Sequence, residues 1–96
     1  MTHRDQRHRT FYVTYEVGHQ RGAKRLLLDG VAHQWKVGSF ELESGRRIHG
    51  LQLYFETHVG QFDIRLVELP REARNVELHA GALPLEFQNA PVDEAA

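Results

Sequence analysis

Seven basic residues fall in three short stretches of this chain: Arg21, Lys24 and Arg25, then Arg46 and Arg47, then Arg71 and Arg74. Cations grouped this closely can hold an anion, and the planar fork of arginine suits phosphate and carboxylate. Whether the three groups act together depends on the elements between them. If those elements are antiparallel strands in simple alternation, the groups occupy the first, third and fifth connections and share one end of the sheet. The resulting basic rim would attract a phosphate, an acidic protein partner or a nucleic-acid backbone. The plain alternative is that basic residues at hairpin tips are solvated and protect the sheet from edge aggregation.

Other chemistry is thin. Histidines at 3, 8, 19, 33, 49, 58 and 79 include no pair at zinc-motif spacing, and only His33 and His49 could converge across neighbouring strands. No metal and no cofactor is expected. Ser39 and Ser44 lack a GxSxG elbow. Gly18-x-x-x-Gly22 followed by Lys24 is a fragment of a phosphate loop without its length, its final Ser or Thr, or its helix. No acid and base are paired by spacing. With no cysteine, a disulfide framework and a thiolate site are both excluded. A non-enzymatic protein is the expectation, and a small enzyme with an unrecognised site is the further alternative.

Ninety-six residues suit one domain. It is expected over 10–88, between a flexible basic arm at 1–9, carrying Arg4, Arg7 and Arg9, and a flexible acidic tail at 89–96. No stretch approaches the roughly 20 apolar residues of a membrane helix, and the start has no apolar signal segment. A cytoplasmic protein with no membrane contact is therefore expected.

Period-two alternation supplies the elements. Phe11, Val13, Tyr15 and Val17 predict a strand with one buried face. Leu26–Leu28 predicts a second, and Asp29-Gly30 a type I′ hairpin turn into a third. On the third strand Val31, His33, Trp35 and Val37 share a face, Trp35 is the expected centre of the core, and a bulge at Gly38 restores Phe40 and Leu42 to the same side. Leu51, Leu53 and Phe55 face inward on a fourth strand, where Gly50 marks a bend. On a fifth, Phe62, Ile64 and Leu66 face inward, with Arg65 outward. Val76, Leu78 and Ala80 predict a sixth strand, with a helix from Pro70 to Gly81 as the alternative. Leu83, Leu85 and Phe87 add a short edge strand. The fold class is mainly β: a five- to six-stranded antiparallel meander forming an open sheet or partly closed barrel, with room for a short C-terminal helix.

These elements leave Tyr12 and Tyr54 on outward faces with Arg65, a stacking platform for single-stranded nucleic acid, although Glu16, Glu56 and Asp63 on that face would repel phosphates. The charge is also divided along the chain. Residues 1–50 hold nine Lys or Arg against five Asp or Glu, and residues 51–96 hold three against eight. Such complementary patches suit twofold association into a homodimer. The reading is a small binding or interaction module engaging an anionic partner through Arg21, Lys24, Arg25, Arg46, Arg47, Arg71 and Arg74. The alternative is a single-stranded nucleic-acid-binding protein using Tyr12, Tyr54 and Arg65.

Overall fold

A computed structural model of the chain describes residues 7–92. Its strands are β1 (Arg7–Val17), β2 (Gln20–Glu41), β3 (Arg47–Thr57), β4 (Phe62–Glu68) and β5 (Arg74–Ala80). They form one open antiparallel sheet in the order β4-β3-β2-β1-β5. A 3-10 turn at Leu85–Phe87 follows. Mainly-β architecture is thus the observed class, and residues 74–80 form a strand, not a helix. The edge strand expected around Leu83, Leu85 and Phe87 is replaced by the 3-10 turn, in keeping with Pro84, which has no N–H to give to a ladder. The basic arm falls mostly in residues 1–6, outside the described residues, as do 93–96 of the acidic tail. The earlier part of that tail runs against β2, where the Arg25 amide donates to Pro91 O at 2.9 Å and Val92 bridges Arg25.

The architecture turns on β2. Its 22 residues would reach about 70 Å if straight, yet the longest dimension of the molecule is 39 Å. The strand therefore bends, and it does so around Gly30. Within β2, Gly30 and Val31 are the residues paired on both sides, with His8 and Arg7 of β1 and with Thr57 and Glu56 of β3. The register slips between His8 and Thr10 on one side and between Ala32 and Gln34 on the other, so β2 carries an extra residue before and after Gly30. Bulges of this kind bend a strand and raise its twist. A Cβ at Gly30 would collide with the Glu56 carbonyl oxygen. Glycine is needed there for close backbone approach.

This corrects the hairpin expected at Asp29-Gly30. Gly30 is not among the residues at positive φ, and the two strands expected on either side of it are one. A glycine after an aspartate serves a bend as readily as a turn, and the dipeptide alone does not separate the two. With that connection gone, the alternation that would gather the three basic groups at one end no longer holds. The β1–β2 and β2–β3 connections lie at opposite ends of β2.

The bend divides the sheet into two leaves, β5-β1 with the first half of β2 and β4-β3 with the second half. Their inner faces meet in a single core of Phe11, Val13, Leu26, Leu51, Leu53, Phe55, Val67 and Leu69. The inward assignments of Phe11 and Val13, and of Leu51, Leu53 and Phe55, hold. Gly50 repeats the device of Gly30, since a Cβ there would meet the Val67 carbonyl.

Face assignments change on β2 and on β4, where Leu66 turns outward with Phe62 and Ile64. The bulge falls at His33 and not at Gly38, where the register with β3 is regular. It sets Trp35 opposite Leu53 and leaves Val31 opposite Glu56 on the other face. Trp35 shares the inner face yet is 41% exposed, as is Val37, and neither belongs to the core; Trp35 is not the core centrepiece. On β4, Val67 pairs with Leu51, and Phe62 and Ile64 pair with Glu56 and Tyr54. Phe62 and Ile64 thus face solvent, 54% and 53% exposed, while Arg65, opposite Leu53, lies on the inner face. β4 is apolar on both faces, and its parity follows from burial of Val67 and Leu69.

Replacing Gly30 with Ala should destabilise the fold by about 1–3 kcal/mol through steric overpacking. Asn, which a type I′ turn accepts, should do no better; urea denaturation of the two variants checks this. Trp35→Ala should cost on the order of 1 kcal/mol, well short of the roughly 3–5 kcal/mol of a core tryptophan, by the same measurement.

Candidate interaction surface

The outer face of the β4-β3-β2 leaf carries an aromatic cluster assembled from three strands. Tyr54 on β3 lies opposite Ile64 of β4, with Phe62 its diagonal neighbour two residues earlier. The Tyr54 and Phe62 rings stack, centroids 5.3 Å apart and planes within 7°. His33, the extra residue of the β2 bulge, meets Phe62 edge-on at 5.4 Å and Tyr54 at 6.3 Å. Its Nε2 lies 3.2 Å from Glu56 Oε1, which holds the ring against the stack. Tyr54 is 40% exposed. With Phe62 and Ile64 it forms an exposed apolar cluster, the feature that distinguishes an interaction surface from scattered apolar residues. The cluster is preorganised: β-sheet pairing fixes the backbones, and two of its side chains already stack as aromatic pairs prefer.

The other leaf shows a second aromatic pair on its outer face. Tyr12 stacks on His79 at 4.7 Å with planes 18° apart, and lies opposite Arg25 on the other side of β1. His79 Nε2 shares a hydrogen bond with Thr14 Oγ1 at 2.9 Å and lies 3.6 Å from Glu77 Oε1. Both contacts fall on the same ring nitrogen. A carboxylate that orients a general base contacts the nitrogen remote from the nucleophile, so this group is not arranged as such a relay.

Tyr12, Tyr54 and Arg65 therefore do not form one platform. The two tyrosines belong to different leaves, and Arg65 lies on the face opposite Tyr54. The cross-strand meeting of His33 and His49 is also absent. His49 pairs with Ser39, six residues along β2 from His33, roughly 20 Å in an extended strand. Among the described residues, no three His, Asp or Glu side chains are gathered as a metal site.

Five of the seven basic residues are engaged within the molecule. Arg21 donates to Glu86 Oε2 at 2.8 Å and lies over the Phe87 ring, 5.2 Å from its centroid. Lys24 Nζ donates to Glu68 O at 2.6 Å, and Arg46 donates to the Glu68 carboxylate at 2.7 Å. Arg47 pairs with Glu41 at 3.7 Å, and Arg74 donates to Gly18 O at 3.4 Å. Arg25 is half-buried, and Arg71 is exposed in the β4–β5 connection. The bend of β2 thus brings Lys24 and Arg46 together at Glu68, and Arg21, Arg47 and Arg74 take separate partners. Exposed pairs of this kind contribute about 0–1 kcal/mol each, but they lower the positive potential that a rim would present.

Sequence reasoning placed Tyr54 outward and assigned Phe62 and Ile64 to the core, which hid the cluster. The signal was that Val67, in the same strand, and Leu69 just after it stand at opposite parity to Phe62 and Ile64. No protein-family model, curated protein or solved structure matches the chain.

A double-mutant cycle on Tyr54→Ala and Phe62→Ala, followed by urea denaturation, should give a coupling energy of about 0.5–1.5 kcal/mol if the stack forms in solution. A coupling near zero would mean that the rings do not stack.

Proposed function

We propose that this protein is a small non-enzymatic interaction module that docks a protein partner on the aromatic face of His33, Tyr54, Phe62 and Ile64. The observation that supports this reading is the exposed Tyr54–Phe62 stack with His33 set edge-on. Aromatic side chains with few rotatable bonds, held in place before binding, supply apolar contact at low entropic cost and are enriched where partners bury hot spots. The cytoplasm is the proposed compartment, consistent with a chain free of cysteine. No helix among the described residues is long and apolar enough to cross a membrane.

The second reading keeps an anionic partner at the basic residues, nucleic acid included. It draws on the exposure of Arg46, Arg47 and Arg71.

Two resins separate the readings. On a phenyl-bearing resin, the chain should be retained and the Tyr54→Ser/Phe62→Ser variant released early, with Arg46→Glu/Arg47→Glu unchanged. On a phosphate-bearing resin, retention that falls steeply with salt and disappears in the Arg46→Glu/Arg47→Glu variant would instead favour the anionic partner. Equal phenyl retention of the chain and its Tyr54→Ser/Phe62→Ser variant would refute the aromatic face.

A further inference from the structure

The two outer strands of the sheet are built differently. β5 has an interrupted edge: Asn75 takes φ 52° where the register with β1 slips, and Glu77 and His79 stand on its outer face. A bulge and charges are ordinary guards against edge pairing. β4 runs from Phe62 to Glu68 in unbroken register with β3, and among the described residues no strand pairs its other edge. Phe62, Ile64 and Leu66 lie on one face of it and Asp63 and Arg65 on the other. The Ile64 amide donates to Asp63 Oδ1 at 2.8 Å, so a backbone donor at the middle of β4 is satisfied by its own neighbour.

We infer that this edge pairs with the same edge of a second copy of the chain, antiparallel and centred on Ile64, joining two five-stranded sheets into one. A twofold pairing that keeps both cores on the same side sets residues of one face opposite each other, so the axis must pass through a residue. Centred on Asp63, the pairing opposes two carboxylates; centred on Arg65, it opposes two guanidinium groups, and like charges directly opposite are unfavourable. Centred on Ile64, it sets Asp63 of each copy against Arg65 of the other, Ile64 against Ile64, and Phe62 against Leu66. Charge and apolar complementarity thus select both the occupant and the register. In the pair, the Ile64 amide passes from Asp63 to the facing carbonyl, and the freed carboxylate turns to Arg65 of the second copy. The two aromatic faces become one continuous surface. The pairing itself does not depend on that surface binding anything else.

Sedimentation velocity of the full chain at micromolar concentration tests the inference, with circular dichroism as the check on folding. The chain should sediment at twice its own mass. Asp63→Arg and Arg65→Asp should each be monomeric alone and should dimerise when mixed, because each arginine then faces an aspartate. Ile64→Lys, at an exposed position, should be folded and monomeric. Should the Arg65→Asp chain fail to fold, Asp63→Arg and Ile64→Lys decide: both monomeric supports the pairing, and either remaining dimeric overturns it. A monomeric unmodified chain overturns it as well and leaves Asp63 and Arg65 as guards of the edge. If that monomer is still retained on the phenyl-bearing resin through Tyr54 and Phe62, the interaction face stands without the dimer.

Discussion

The close passage of β2 over β3 at Gly30 is the constraint on which the rest of this structure depends. A strand long enough to span the molecule nearly twice must bend, and bending requires the backbones of neighbouring strands to approach more closely than a side chain allows. Gly30 supplies the space beneath the Glu56 carbonyl, and the extra residues on either side supply the twist. Without that bend the two inner faces would be the same side of a flat sheet, with nothing to cover them. With it, Phe11, Val13 and Leu26 meet Leu51, Leu53 and Phe55, and a chain of this size closes a core from a single sheet.

The outer faces follow from the same geometry. Because burial of Val67 and Leu69 determines which side of β4 turns inward, Phe62 and Ile64 are left facing solvent beside Tyr54. The bulge that helps bend β2 also displaces His33 onto this surface, where Glu56 fixes it. A device serving the core therefore contributes a ring to the exposed cluster. The exposed apolar side chains are a consequence of β4 having two apolar faces and one core to bury.

Charge is arranged around the bend as well. Lys24, on the inner side of β2, reaches the end of β4 and meets Arg46 at Glu68. This contact ties the first leaf to the second at the rim of the core. Its stabilisation is modest at this exposure, and its orienting effect is the more significant one: two cations at one glutamate, Lys24 on its backbone carbonyl and Arg46 on its carboxylate, are held in place and are less available to an external anion.

Much of the architecture was legible in the residues alone. Alternation identified the strands around Phe11–Val17, Leu51–Phe55 and Val76–Ala80, since these depend on local preference and on which side chains avoid water. The sequence also located the special glycines at 30 and 50. It could not say what they were for, because a glycine needed for a turn and one needed for close approach look alike until the neighbouring backbone is in place. Nor could alternation choose the buried face of β4 or the exposure of Trp35, for each depends on which side chains the opposing leaf covers. Local chemistry determined which segments of this protein form strands along β1, β3 and β5. Tertiary packing decided which apolar face was covered, and so which residues remained at the surface, because burial is a property of two surfaces meeting and one strand carries only half of that information.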